Sequence, residues 1–302
     1  MSQCRSRRRC CCARCSNQRS CQTSRRPVGD DSELSGHARI GEGREAEIYA
    51  WGEGTVLRLL RPGADAGNAR REEVAMRAAG AVGFDVPRVR GSTTVDGRPG
   101  VIMDRVDGPD LITLMGRRPW AVPRVARIVG KEHAAMHDVL APPGLWNLRE
   151  MVRWKIENAE ELPAELARFA LGLLDTLPDG DRLCHGDFHP GNILMGPSGP
   201  AVIDWIGAAR GDPAGDLART RLLLRQGAVP EHMPALIRRM HAIGRDAFFR
   251  LYVRAYARAR AIDSDLVDRW EVVRLADRVG EGIEVEQPLL LAQLGRYASG
   301  SA

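Results

Sequence analysis

The chain has 302 residues, 44% of them hydrophobic and 27% charged, the composition of a globular protein with one large core or two smaller ones. No apolar run approaches the roughly 18–20 residues of a membrane-spanning helix. The net charge of +5 resides entirely in residues 1–36, where eight arginines face Asp30, Asp31 and Glu33; the remainder is neutral overall, so charge implies neither nucleic acid nor an anionic membrane as partner.

Residues 1–36 also hold six of the seven cysteines. They lack the apolar stretch of a signal peptide, and Cys12-x-x-Cys15 has no second pair or histidine at zinc-ligand spacing. This stretch reads as a disordered Arg/Cys-rich extension. With Cys184 the one cysteine beyond it, the body reads as a reduced, cytoplasmic protein without disulfides. Residues 37–107 form a β-rich unit with one helix. Strands are expected at 46–51 and 55–60, joined by Gly52-Glu53-Gly54. A helix is expected at 69–79, where Glu72, Met76 and Ala79 share a face. A hairpin over 92–103 turns at 96–100. Residues 108–302 are mostly helical, with helices expected at 109–114, 122–140 and 150–177, then at 213–225, 231–243, 245–262 and 264–280.

Between the two helical groups stands Cys184-His185-Gly186-Asp187-Phe188-His189-Pro190-Gly191-Asn192, followed by Asp204 in Ala201-Val202-Ile203-Asp204-Trp205. Apolar residues 193–195 and 201–203 flank five turn formers, which reads as a β-hairpin. Arms of three residues place Asn192 opposite Asp204, and opposed positions lie roughly 4.5–5.5 Å apart. An amide oxygen beside a carboxylate suits a hard divalent cation such as Mg²⁺, whose other positions water or phosphate fills. Asp187, in the loop feeding the hairpin, is within reach of what such a metal holds.

A carboxylate base, an amide ligand five residues on and a metal-binding aspartate after a hairpin make up the catalytic loop of phosphoryl transfer to a hydroxyl, which protein kinases write H-R-D-x-x-x-x-N. The form here, His185-Gly186-Asp187-x-His189-Pro190-Gly191-Asn192, resembles the aminoglycoside phosphotransferase and choline kinase-like superfamily, most closely its antibiotic phosphotransferase branch. The resemblance covers about residues 37–290. It implies an α+β, two-lobed protein-kinase-like fold. Residues 37–107 would form a small antiparallel N-lobe with one helix that binds nucleotide. Residues 108–302 would form a helical C-lobe with the catalytic loop, the metal site and the acceptor-binding helices. It further implies Mg²⁺-dependent transfer of the γ-phosphate of ATP or GTP to a hydroxyl of a small molecule, an aminoglycoside-like antibiotic or a metabolite alcohol. Asp187 would be the base, and Asn192 and Asp204 the metal ligands.

Within that resemblance, Gly41 and Gly43 belong to a phosphate-covering loop, Val56 packs on the base, and Asp104 to Val106 form a hinge whose main chain meets adenine. The lysine that should grip the α- and β-phosphates falls on Arg58. The departure is definite, because there are two lysines in all, Lys131 and Lys155, against 42 arginines. Arginine binds phosphate bidentately but with a bulkier, permanently charged fork. Its helix partner is Glu72, or alternatively Glu73. His185 and His137 brace the loop. Asp216, in Asp212-Pro213-x-x-Asp216-Leu217-Ala218, is expected to cap a helix and bind the loop backbone, while Asp212 is a second candidate for the metal or acceptor. The missing lysine also motivates an alternative, a nucleotide-binding pseudo-enzyme. Only seven residues separate Asp204 from Asp212, too few for the peptide-docking segment of a protein kinase. The acceptor side is ambiguous: residues 231–262 carry seven arginines against Glu231 and Asp246, and acidic groups such as Asp263, Glu281 and Glu286 gather later.

Overall fold

The N-terminal sheet takes its strand order from short turns and one helical insertion. The computed structural model describes residues 34–226 and 235–300. Its first part is an antiparallel sheet of β1 (Arg39–Glu42), β2 (Ala46–Ala50), β3 (Thr55–Leu60), β4 (Val89–Val95) and β5 (Arg98–Asp104), with α1 (Ala66–Ala81) between β3 and β4. The spatial order is β1-β2-β3-β5-β4. β3 is buried on both faces. Strand alternation sends Val56 and Leu60 to the main core and Leu57 and Leu59 to the other side. There they meet Val95 under Leu34, Tyr49, Trp51 and Ile102. Leu34 therefore belongs to the packed body, and the boundary expected at residue 36 falls inside it; residues 1–33 lie outside the described residues. The β4–β5 turn is Asp96-Gly97, both with positive φ (50° and 73°), the backbone that lets a two-residue loop match strand twist. Both strands are consequently longer than the sequence pattern suggests.

The Asp65 carboxylate caps α1 by accepting the Gly67 amide at 2.9 Å. The helix buries Ala69, Glu72, Met76 and Ala79 and packs on the turn Trp205–Gly207. That contact joins the two halves of the molecule beside Asp204.

The second half comprises α2 (Leu111–Arg117), α3 (Val122–Met136), β6 (Trp146–Asn147), α4 (Leu148–Glu157), α5 (Ala164–Asp175), β7 (Arg182–Cys184), β8 (Ile193–Gly196), β9 (Gly199–Val202), β10 (Ala209–Gly211), α6 (Pro213–Gln226), α7 (Ala235–Ala259), α8 (Ser264–Val279) and α9 (Gln287–Ala298). The single helix expected over 150–177 is two. Pro163 has no N–H to donate and disfavours helix at Leu162, so α4 stops and α5 starts after it. α7 instead runs through Gly244, where a break was expected; an interior glycine costs a helix only about 1 kcal/mol. Residues 231–234 of the preceding expected helix lie outside the described residues. α3 packs along α7 with Gly130 at the crossing, where a Cβ would lie 2.6 Å from the Tyr252 carbonyl oxygen.

Two small sheets clamp the segment 185–192. β7 pairs antiparallel with β10, Cys184 opposite Ala209, and β6 adds parallel to β10. β8 pairs with β9, Ile193 opposite Val202. The β8–β9 turn is Pro197-Ser198, two residues instead of five, and the register shifts accordingly. Asn192 faces Ile203, whose N–H donates to the Asn192 carbonyl at 2.9 Å; Asp204 lies one position beyond the place expected for it. Among the described residues no helix is long and apolar enough to cross a membrane.

Candidate active site

The loop after β7 is shaped by one glycine and one buried carboxylate. Gly186 has φ +81°, and a Cβ there would stand 2.4 Å from the Gly207 carbonyl oxygen, so only glycine fits the bend. Asp216 accepts the N–H groups of His185 at 2.7 Å and Gly186 at 2.8 Å. Its Oδ2 also accepts from His133 Nε2 (3.2 Å) and His137 Nε2 (3.3 Å), while the hydroxyls of Tyr252 and Tyr256 on α7 donate to the two Nδ1 atoms at 2.7 Å. Burial, helped by the neighbouring His137, pushes His133 down to about 3 despite Asp216, so His133 is neutral. Burial alone would raise Asp216, but its histidine donors hold it well below the usual carboxylate range. His133, His137 and Asp216 are close enough to hold a metal ion. Every such atom already has a hydrogen-bond partner, however, and the group acts as a polar clamp. Asp216 sits within the first turn of α6 and does not cap it. Asp212 does, accepting the Ala214 amide at 2.7 Å, and it is not among the residues that line the cleft described below.

His185 donates from Nε2 to the Ile203 carbonyl (3.0 Å) and accepts the Asp187 amide at Nδ1 (3.3 Å). Burial lowers its pKa, so it is a neutral brace between the loop and the strand leading to Asp204. Asp187 is approached from both sides. Asn192 Nδ2 donates to its carbonyl (2.9 Å) and to Oδ2 (3.2 Å), and His189 Nε2 and Arg219 Nη2 each lie 3.6 Å from a carboxylate oxygen. Burial pushes its carboxyl up, but His189 and Arg219 outweigh that and hold it below the ordinary range. With its NH₂ end committed to Asp187, Asn192 has its amide oxygen left for a cation.

Asp204 has left-handed backbone angles (φ 64°, ψ 63°), a strained conformation for a non-glycine residue. This strain turns its side chain back toward β3. There Arg58, only 6% exposed, bridges two carboxylates: Nη1 donates to Glu72 Oε2 at 2.9 Å and Nη2 to Asp204 Oδ1. Glu73, the other candidate, pairs with Arg77 on the surface. Burial raises Glu72 to about 7, with Arg58 only partly offsetting it. Arg58 stays charged: burial lowers it, and Glu72 and Asp204 more than compensate.

Arg58, Asn192 and Asp204 line a cleft of about 630 Å³ between the N-terminal sheet and the β8–β9 hairpin. Its walls are apolar at Ile48, Val56, Met103, Leu194 and Ile203, and its rim holds Gly41, Gly43 and Asp104 to Val106. Asp104 and Arg105 direct their amides to the carbonyls of Arg88 (3.0 Å) and Gly54 (2.9 Å). The Val106 amide makes no main-chain hydrogen bond among the described residues. The cleft thus offers apolar walls, a backbone edge and the polar groups of Arg58, Asn192 and Asp204.

The sequence reading missed Arg219, Tyr252, Tyr256 and Thr220, and named Glu281 only among the later acidic groups, not as the partner of Arg219. Helical spacing from Asp216 could have marked Arg219 and Thr220, and the i,i+4 pair His133/His137 was legible. The tyrosines and Glu281 come from distant segments with no local signal. Much of the later acidic group is already paired: Asp263 caps α8 through the Leu266 amide (3.0 Å), and Glu286 binds Arg278 (2.7 Å).

Residues 37–261 match the family described as the phosphotransferase enzyme family. Among solved structures, the chain is similar to the amicoumacin kinase hAmiN in complex with AMP-PNP, Ca²⁺ and Ami, with 11% identity, TM-score 0.61, and 88% of this chain and 89% of that one covered. It is similar to a thermostable mutant of aminoglycoside phosphotransferase APH(4)-Ia in ternary complex with AMP-PNP and hygromycin B, with 18% identity, TM-score 0.60 and coverage of 89% and 94%. It is also similar to a choline/ethanolamine kinase family protein from Mesorhizobium loti, with 18% identity, TM-score 0.59 and 86% of each chain covered. These likenesses show the two-lobed protein-kinase-like fold. No curated protein sequence matches.

Proposed function

The chain belongs to the phosphotransferase enzyme family, and we propose that it moves the γ-phosphate of ATP or GTP to a hydroxyl of a small molecule with Mg²⁺. The observation that carries this reading is that Arg58, Asn192 and Asp204 line one cleft, Arg58 paired with Asp204 and Asp187 hydrogen-bonded by Asn192. The apolar walls suit a purine, and the Val106 amide suits its edge. Gly41 and Gly43 allow the main chain to approach the phosphates. Arg58 takes the position of the missing lysine and is paired with Glu72 on one side and Asp204 on the other; a cation fixed in this way at the lining of the cleft favours a working enzyme over a pseudo-enzyme.

The donor set fits a hard cation. Asn192 brings an amide oxygen, and Asp204 keeps one carboxylate oxygen beyond the one Arg58 contacts. Bound there, Mg²⁺ would neutralise charge on the phosphates. The AMP-PNP and Ca²⁺ held by the amicoumacin kinase structure are consistent with a nucleotide and a divalent ion in this fold. Asp187, kept ionised by the Arg219 guanidinium and the His189 imidazole beside it, orients the acceptor hydroxyl and takes its proton late in transfer. Loop and cleft supply positioning more than covalent chemistry.

The test is nucleotide turnover with Mg·ATP and Mg·GTP across hygromycin B, kanamycin, choline and neutral sugar alcohols, with mass spectrometry of the products. Resistance profiling of a susceptible host that expresses the protein runs alongside. Acceptor-dependent release of the diphosphate together with a phosphorylated product supports the reading. Nucleotide binding with no acceptor-dependent release across both assays would return the pseudo-enzyme.

A further inference from the structure

We infer that Arg219 is a positioning residue for Asp187, holding its carboxylate toward the acceptor hydroxyl, and that Glu281 holds Arg219 in turn. The inference rests on the phosphotransferase reading above.

α6 presents one face to the catalytic loop. Asp216, Arg219 and Thr220 stand at i, i+3 and i+4, the spacing that puts side chains on one stripe of a helix. Each meets a different part of the loop. Asp216 takes the amides of His185 and Gly186, and the Thr220 hydroxyl donates to the Phe188 carbonyl at 2.9 Å. Both fix backbone. Between them Arg219 addresses the side chain of Asp187, with Nη2 3.6 Å from Oδ1. Oδ2 faces Asn192 and His189. The two carboxylate oxygens are thus held from opposite sides, which restricts rotation of the group.

Packing alone does not account for Arg219. It is 4% exposed, and a guanidinium so buried requires compensation. Its Nε and Nη1 have no hydrogen-bond partner among the described residues, and its charged contacts are made by Nη2, to Asp187 and to Glu281. Glu281, just past α8, supplies the counter-charge, with Oε1 2.6 Å from Nη2. Arg278 holds Glu281 at 2.5 Å. The Glu281 carbonyl also accepts from Arg44 Nη2 in the glycine-rich loop at 2.8 Å. A line of contacts therefore runs from the phosphate-covering loop through Glu281 and Arg219 to the base.

The experiment compares wild type, Arg219→Ala, Arg219→Lys, Glu281→Gln, Asp187→Ala and the double variant Asp187→Ala/Arg219→Ala. Turnover of Mg·ATP is measured with water as acceptor and with each compound of the panel above, and Mg·AMP-PNP affinity by calorimetry. Arg219→Ala is expected to lower kcat by about 10–100-fold, the scale of a misplaced catalytic group, while the Michaelis constant for ATP and the AMP-PNP Kd stay within about two-fold. Arg219→Lys, which keeps the charge and guards against a folding defect, should recover part of the loss, and Glu281→Gln should fall in the same direction by less. In the Asp187→Ala background the alanine at 219 should cost nothing more, because nothing remains to be positioned. Wild-type kcat in Arg219→Ala overturns the inference. So does an equal loss in both backgrounds, or a loss accompanied by an equal loss of nucleotide affinity. Equal rates for wild type and Asp187→Ala overturn the phosphotransferase reading itself.

Discussion

Replacing Arg58 with alanine removes a buried cation from between two carboxylates. Breaking such a pair by deleting one partner costs ~3–5 kcal/mol. The lower end is expected here, for two reasons. Glu72, already raised to about 7, can take up a proton near neutrality, and Asp204, whose side chain is 33% exposed, can turn to water. About 3 kcal/mol corresponds to a fall in Tm of roughly 6–12 °C for a chain of this size. Turnover should suffer separately. Loss of one preorganised donor to the phosphates is worth ~2–4 kcal/mol, or roughly 30–1000-fold in kcat/KM for ATP. Arg58→Lys keeps the charge and should recover most of the Tm. Its single ammonium cannot present two parallel donors, so it should recover only part of the turnover. Differential scanning calorimetry and steady-state ATP kinetics on the three proteins decide the matter. Indistinguishable Tm and kinetics for alanine, lysine and wild type would refute the reasoning, because they would mean that the bridge between Glu72 and Asp204 carries neither stability nor phosphate.

Asp187→Asn should lower turnover by more than about ten-fold while leaving nucleotide affinity nearly unchanged, since a positioned base contributes ~10²–10⁴-fold; a smaller loss removes Asp187 from the base role. Asp204→Ala should abolish the Mg²⁺-dependent part of ATP affinity, with Asn192→Ala milder because it removes a neutral ligand; unchanged Mg·ATP binding in Asp204→Ala would place the metal elsewhere. His133 gives a pH prediction. Its pKa falls from the ordinary 6.5 to about 3 in the folded chain. The stability it contributes is therefore full above pH 6.5 and drains away as pH falls from 6.5 toward 3. Urea unfolding at several pH values across that window should show a shallower slope of stability against pH for His133→Gln than for wild type, and identical slopes would mean that another group is responsible.

The residues that carry the proposed chemistry stand in short order along the chain. His185-Gly186-Asp187 and Asn192, a hairpin and then Asp204 are local, and their turn formers and spacing announce the loop before any tertiary contact exists. The departure at Arg58 was equally legible, since no lysine precedes Lys131, as was strand β3, whose alternation alone puts Val56 and Arg58 on one face. Tertiary structure decided what spacing cannot encode. The two-residue turn at Pro197-Ser198 moved the register, so that left-handed backbone strain at Asp204, and not direct opposition to Asn192, directs that carboxylate toward Arg58. Glu72 and Glu73 are adjacent in sequence and equivalent in propensity, and only the packing of α1 on the turn Trp205–Gly207 buries one and leaves the other to Arg77. The strands β6, β7 and β10 are too short for any periodicity and exist because distant segments pair. Tyr252, Tyr256 and Glu281 support the loop 185–192 only through His133, His137 and Arg219, across large separations in sequence and from segments whose local pattern specifies a buried face but not what that face will meet.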